Sequence, residues 1–310
     1  MSPIPVILDV DTGIDDALAL MLACRSPELD ILGVTCVAGN VALDKVVGNT
    51  LTVLDTMGRT DLPVAAGYDG PLVQPHSPAA HVHGEDGLGD LGWPRSTRSP
   101  DSRHAVDFMA QALEASPEPV TLVALAPLTN LAGFVRHFPH LLPRIRRIVS
   151  MGGSMASGGN VTPAAEFNIW CDPEAAAVVY SSGAPITMYG LDVFRPVKVT
   201  AQEVEALAGA GKPWSPLLGE LLRFFQTRFR QPDPGLGDAG TVATVIAPEH
   251  LKTRPHRVVV ELSGVHTRGM TVVDQRTFGE DGATSDRPNA DVAHAIDARA
   301  CARLFVERLG

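Results

Sequence analysis

The 310-residue chain has no run approaching the roughly 18 to 20 apolar residues that a membrane-spanning helix needs. Its opening, MSPIPVILDV, lacks the basic segment and apolar core of an export signal. Positive charge is short as well: 35 acidic against 25 basic residues leave a formal charge of -10. That balance argues against a surface built to coat a nucleic-acid polymer or an anionic membrane, but it leaves room for a small uncharged ligand. The four cysteines, Cys24, Cys36, Cys171 and Cys301, are scattered and form no CxxC pair. They read as free thiols in a reducing compartment, which makes the cytoplasm the expected location. A Rossmann glycine fingerprint and the EF-hand spacing DxDxDGxxxxxE are absent too, so neither motif explains the acidic residues that follow.

What is present is alternation. A composition 45% hydrophobic and 19% charged suits a folded core. A strand rich in branched residues reads from Ile4 to Val10, and a helix from Asp16 to Cys24, with Gly13 allowing the turn. LDILGVTCVAGN reads as a second buried strand, KVVGNTLTVLDTM as a helix, and Pro63 to Ala66 as a short strand. Residues 70–103, rich in Pro, Gly, His and Ser, lose periodicity and read as a long loop excursion of the lid or binding-loop kind. Helix (Ala105 to Ala115), strand (TLVALA), helix (from Leu128) and strand (RIVSMGG) then follow. Next come a helix through PEAAAVVY, a strand through ITMYG and an amphipathic helix through SPLLGELLRFFQTRF. A strand pair through HRVVVELSG and MTVVDQRT precedes a final helix through VAHAIDARACARLFVERL. The pattern predicts an α/β fold: an open, predominantly parallel sheet with helices on both faces, in one domain spanning residues 1–310. In such folds the functional loops lie beyond the carboxyl ends of the strands.

The segment ILDVDTGIDDALAL places Asp9, Asp11, Asp15 and Asp16 where that first strand runs into that first helix. The helix N-terminus accounts for one or two carboxylates as caps, but not for four. Carboxylates crowded into a partly dry cleft raise one another's pKa unless a cation neutralises them. Hard divalent ions prefer such oxygen donors, and no nearby Cys/His set favours zinc.

The sequence resembles the inosine-uridine-preferring nucleoside hydrolase family, whose opening motif is similar to DxDxGxDD. The resemblance runs in order through Gly39-Asn40, HVHG from His81 to Gly84, and PLTN from Pro127 to Asn130. It continues through MGG at Met151 to Gly153, AEFN at Ala165 to Asn168, and DPEAA from Asp172 to Ala176, with a weaker match at Asp238. It implies a calcium site made by Asp11, Asp16, Asp238 and the main-chain carbonyl of Leu125, with Asp9 supporting the cluster. Calcium is preferred to magnesium on the same grounds. It further implies that Asp15, Asn40 and Asp238 grip the lower ring hydroxyls of a ribose, and that Asn160, Glu166 and Asn168 also bind the sugar, with Asn160 and Glu166 toward its 5′ side. The reaction implied is hydrolysis of a ribonucleoside N-glycosidic bond to ribose and free base, with Asp11 as general base and His83 as a catalytic group donating a proton or a hydrogen bond to the leaving base. A homodimer or homotetramer is the implied assembly.

The chain also departs from the pattern. Many purine-cleaving relatives carry a histidine just before the late metal-binding aspartate, where this sequence has Gly237. RFRQPDPGL replaces their tyrosine-rich recognition segment, and Ala126 stands where glycine is common. A side-chain acid for the base is therefore missing at Gly237, and two other readings stay open. One is a non-enzymatic nucleoside- or ribose-binding protein that retains the metal site. The other is a haloacid-dehalogenase-like phosphatase, which also uses DxD after an early strand, although its separated Ser/Thr and Lys motifs are not evident.

Overall fold

The computed structural model of the chain describes residues 2–276 and 287–310. The chain enters through β1 (Ile4–Val10), α1 (Ile14–Cys24), β2 (Leu29–Cys36), α2 (Leu43–Thr56) and β3 (Val64–Ala66). Residues 70–103 follow, carrying only the short α3 (Ala80–His83). Regular alternation resumes with α4 (Ala105–Ala115), β4 (Val120–Ala124), α5 (Thr129–His137) and β5 (Ile145–Met151). Then come α6 (Phe167–Cys171), α7 (Pro173–Tyr180), β6 (Ile186–Tyr189), α8 (Leu191–Phe194), α9 (Ala201–Ala208), α10 (Ser215–Phe229) and α11 (Asp238–Ile246). The last elements are β7 (Leu251–His256), β8 (Val258–Val260), β9 (Thr271–Val273), β10 (Ala290–Ile296) and α12 (Ala298–Leu309).

Eight strands form one sheet in the order β3-β2-β1-β4-β5-β6-β10-β7, parallel throughout except for β7, which runs antiparallel to β10 at the edge. The α/β class read from the sequence is thus the observed one. Strand β1 shows why both faces are covered. Its period of two sends Val6, Leu8 and Val10 into a core shared with α1, α2, α10 and α11, and Ile7 into a second core under α4, α5 and α7. The strand order reverses between β1 and β4, because the chain builds outward from β1 in one direction and then returns to its other side. Such a switch point leaves a crevice beyond the carboxyl ends of the two strands, where ligands of open α/β sheets bind. Asp9 and Asp11 lie at the end of β1, and Leu125 just past the end of β4.

One expectation fails. VAHAI does not belong to the final helix: Ala290–Ile296 is β10, and α12 begins only at Ala298, where the Asp297 carboxylate accepts from the Ala300 N–H at 2.9 Å. The alanines favour a helix locally, but pairing with β6 on one side and β7 on the other overrides that preference. The expected strand pair forms as β8 and β9, three residues each, with Val258 opposite Val273. Thr277, at the end of the stretch read as the second strand, lies outside the described residues.

Candidate active site

The floor of the crevice is built from β1 outward. Asp9 is fully buried, and one of its oxygens accepts from the Thr35 hydroxyl at 2.6 Å and from the Asn130 Nδ2 at 2.8 Å. Its other oxygen has no partner. Burial pushes this carboxyl up to about 7 against the pull of those two hydrogen bonds. Two residues on, the Asp11 Oδ2 accepts the Asn40 N–H at 2.7 Å, while Oδ1 is buried without a partner. The backbone at Gly39 passes so close that a Cβ there would sit 2.0 Å from the Asp11 Oδ2, so glycine is required by space. Asp16 closes the N-terminus of α1: its Oδ1 accepts from the Asp11 N–H at 3.2 Å, and its Oδ2 from the Gly13 N–H at 3.0 Å and the Asn40 Nδ2 at 3.2 Å.

Asp238 begins α11 and brings a carboxylate from a distant part of the chain onto this floor. One oxygen each from Asp15, Asp16 and Asp238 lie within 4.8 Å of one another. Burial first, and then the neighbouring carboxylates, hold Asp11, Asp16 and Asp238 well above the ordinary carboxylate range. Buried oxygens of Asp11 and Asp15 left without any donor are expensive in a structure of this kind. An oxygen-only donor set with spare lone pairs fits calcium, which neutralises the repulsion and occupies those lone pairs. The triad brought together is Asp15, Asp16 and Asp238. Asp11 adjoins it through its N–H, which donates to the Asp16 Oδ1, and the charges of Asp16 and Asp15 add to burial in raising its carboxyl. Leu125 is fixed by its N–H to the Asp9 carbonyl at 2.8 Å, and its own carbonyl accepts the Asn168 Nδ2 at 2.8 Å.

Above the floor opens a cavity of about 690 Å³, lined by Asp15, Asn40, His83, Leu125, Asn160, Glu166, Asn168 and Asp238 among others. Every residue singled out for the sugar or the base therefore faces one space, while Asp9, Asp11 and Asp16 underlie it. A second cavity, near Pro5, Leu32 and Phe108 at the other end of the strands, shares none of these residues. Glu166 caps α6: its carboxylate accepts the N–H groups of Asn168 at 2.9 Å, Gly153 at 2.9 Å and Ile169 at 3.2 Å. Burial nonetheless raises it to about 7. Asn160 is exposed at the rim, with its Oδ1 accepting from the Phe167 N–H at 2.9 Å.

His83 is buried, and its Nδ1 accepts the Ile14 N–H at 3.2 Å from the first turn of α1. A nitrogen that accepts carries no proton, so the neutral ring holds its hydrogen on Nε2. Burial pushes the imidazole pKa down, opposed by the Asp15 carboxylate 3.8 Å from Nδ1, and favours that neutral form. Several partners were not evident from the sequence. Thr35 and Asn130 hold Asp9; the PLTN motif contained Asn130 but gave no hint of what it binds. His76 reaches the Gly39 carbonyl at 2.8 Å, and Arg195, Lys198 and Gln231 line the cavity without any local pattern announcing them.

Residues 6–303 match the inosine-uridine preferring nucleoside hydrolase family. The pyrimidine-specific ribonucleoside hydrolase RihA of Citrobacter koseri is 43% identical, covering 99% of this chain and 98% of the relative. RihA of Escherichia coli O7:K1 is 42% identical over the same shares. Among solved structures, a plant nucleoside hydrolase, PpNRh1, superimposes with a TM-score of 0.91 at 32% identity, over 99% of each chain. The purine-preferring ribonucleoside hydrolase from Gardnerella vaginalis also reaches 0.91, at 30% identity and 98% of each chain. Agreement of this extent, in sequence and in the course of the whole chain, places the protein in the inosine-uridine preferring nucleoside hydrolase family, calcium-dependent enzymes that hydrolyse the N-glycosidic bond of a ribonucleoside.

Proposed function

We propose that this enzyme acts on pyrimidine ribonucleosides, releasing ribose and a free pyrimidine, with Asp11 as the general base. The curated relatives at 43% and 42% identity, which match nearly end to end, are pyrimidine-specific, and that supports the choice of base. The observation that carries the reading of the site is the buried carboxylate cluster with unpartnered oxygens at the sheet's switch point. Asp11, Asp16, Asp238 and the Leu125 carbonyl would hold the calcium, with Asp15 beside them. When bound, the ion supplies Lewis-acid chemistry, making water easier to deprotonate and anchoring the ribose diol.

The protein's own groups then divide the work. Asp11 has one oxygen tied to Asn40 and one free, so the free oxygen takes a proton from the attacking water while the other keeps the carboxylate aligned. Asp15 and Asn40 bind the lower ring hydroxyls, joined by Asp238. Asn168 also binds the sugar, with Glu166 and Asn160 toward its 5′ side, Glu166 held rigid by its three backbone donors. The surrounding carboxylates favour the positive charge that develops on the ring as the glycosidic bond lengthens. His83 directs its Nε2–H as a hydrogen bond to the base, since its other nitrogen is committed to Ile14.

Four unpaired cysteines, three of them buried, support a cytoplasmic protein, and no helix among the described residues is long and apolar enough to cross a membrane. Val259 and Val272, paired and exposed on the β8–β9 ribbon, support assembly into a homodimer or homotetramer, which light scattering would measure. The deciding experiment is a panel of purine and pyrimidine ribonucleosides with calcium or chelator, read by reducing-sugar release and product mass spectrometry. Calcium-dependent release of ribose from uridine or cytidine is expected. Turnover of purine nucleosides alone, or release unaffected by chelation, would overturn the assignment.

A further inference from the structure

At Gly237 the wall of the cavity has no room for chemistry of its own. Its φ of +56° is one that side chains rarely adopt, and a Cβ would lie 2.4 Å from the Asp15 Cβ. Whatever assists the departing base must come from elsewhere. The segment beside it is pinned in place: the Leu236 N–H donates to the Val197 carbonyl at 2.9 Å, and the Val199 N–H to the Pro234 carbonyl at 3.2 Å. Lys198, between these two bonds, pairs with Gly235 and projects into the lining of the same cavity. The chain has only four lysines, so a cation here is not an accident of a lysine-rich surface.

The Lys198 Nζ donates to the Gln231 Oε1 at 2.9 Å. An ammonium has no lone pair, so Gln231 must turn its oxygen toward it and its NH₂ away. The Lys198 ammonium can only donate, and one of the two lone pairs of the Gln231 oxygen is committed to it, so the pair presents mainly donors. Gln231 lines the same cavity as a row of rings: His83 and Phe225 lie 6.1 Å apart, and Phe225 and Phe229 5.3 Å apart. His83 and Asp238 are buried at the inner end, whereas Lys198 and Gln231 are exposed at the mouth. A nucleoside whose ribose rests on the carboxylate floor would direct the far edge of its base, not its glycosidic nitrogen, toward the pair.

We propose that Lys198, seated by Gln231, binds the carbonyl oxygen at position 4 of the base and stabilises the negative charge the base carries away, making uridine-type 2,4-dioxopyrimidine ribonucleosides the preferred substrates. Cytidine presents an amino donor at that position, opposite the Lys198 ammonium, which cannot accept, and is disfavoured. The inference rests on the placement of ribose given under "Proposed function". In the step itself, water contributes hydroxide to C1′ and its proton goes to Asp11. The C1′–N1 electron pair departs with uracil and spreads onto O2 and O4, after which N1 takes a proton from solvent. Lys198 stays protonated throughout, so this route needs no acid at Gly237.

The test compares wild type, Lys198→Met and Lys198→Arg on uridine, cytidine and 4-nitrophenyl riboside with saturating calcium. The nitrophenyl compound leaves readily without help at the base end, so it reports on the ribose end alone. Wild type is expected to prefer uridine to cytidine. Lys198→Met should lower uridine kcat/KM by roughly 10–100-fold, the scale of a hydrogen bond to a charged group, chiefly in kcat. The loss should shrink to a few-fold on cytidine and on the nitrophenyl riboside, and Lys198→Arg should recover most of the uridine rate. Equal losses on all three substrates, or no loss on uridine, would overturn the role of Lys198. Nitrophenyl riboside turnover without nucleoside turnover would also overturn it while leaving the ribose end standing. Failure on every riboside would remove the underlying assignment and this proposal with it.

Discussion

Replacing Gly237 with alanine adds one methyl group at the most crowded point of the cavity. The backbone there has φ +56° and ψ -127°, a region nearly reserved for glycine, and holding another residue in it costs about 1–3 kcal/mol. The new Cβ would lie 2.4 Å from the Asp15 Cβ and 2.9 Å from its Oδ2, whereas carbon atoms in contact settle at about 3.5–4.0 Å. Asp15 must therefore retreat by more than about 1 Å, and overpacking of this kind adds a further ~1–3 kcal/mol. With an unfolding entropy of about 0.65 kcal/mol/K for a chain of this length, the two effects together lower Tm by roughly 3–9 °C. Because Asp15 belongs to the carboxylate triad, the same displacement should cost about 100-fold in kcat/KM, the usual penalty for a reacting array misplaced by 1 Å. Differential scanning calorimetry with calcium and steady-state ribose release measure both. A variant with Tm and kcat/KM both unchanged from wild type would refute the packing argument. Lost stability with intact kcat/KM would instead refute the link to Asp15.

Further tests address the floor. Asp11→Asn should lower kcat by roughly 10²–10⁴-fold, the contribution of a general base, with the fold intact by circular dichroism; a kcat within tenfold of wild type would assign the proton to another group. Asn130→Ala removes a donor from the Asp9 carboxylate and should destabilise the protein by about 1–3 kcal/mol in a urea titration; an unchanged midpoint would mean that Thr35 suffices. In chelator, Glu166 gives stability a definite pH slope. Its folded pKa of about 7 lies above the unfolded value of 4.5, so its contribution is complete below about 4.5 and is lost as pH rises through 7, some 3 kcal/mol in all. Chelated protein should accordingly melt lower at pH 8 than at pH 6, with added calcium flattening the difference; a chelated Tm that rises across that interval would contradict the sign.

How far the sequence reveals this molecule depends on the range of the interactions involved. Strands such as IPVILDV and helices such as SPLLGELLRFFQTRF carry their periodicity locally, and both form where the pattern puts them. VAHAI misleads because its strand state depends on β6 and β7, the first about a hundred residues upstream. The acidic segment announces a cation through electrostatics alone, yet the geometric partnership of Asp15 and Asp16 with Asp238 needs the folded chain. Asn130 sits in a motif that marks its importance without naming its bond to Asp9, 121 positions away. Lys198 has no local signal at all: its place in the cavity follows from two backbone bonds to the segment before α11.

The two ends of the cavity are made from different materials, and that difference has a chemical consequence. The end proposed to hold ribose rests on strand termini and a helix N-terminus, where Asp9, Asp11 and Asp16 are locked by backbone and buried amide donors. Groups with so many fixed partners cannot drift, which suits charge stabilisation that must be in place before the bond breaks. The end proposed to receive the base is assembled from α3, the end of α10 and the turn before α11, and its polar tips at Lys198 and Gln231 are exposed. Substitutions there cost little stability, so specificity can change without disturbing the floor. Relatives of the same fold whose names specify pyrimidine or purine substrates are what such a division predicts. In this chain the empty wall at Gly237 and the lysine near it follow the same logic: an acid is absent where packing forbids one, and a cation stands nearby, where a loop can hold it.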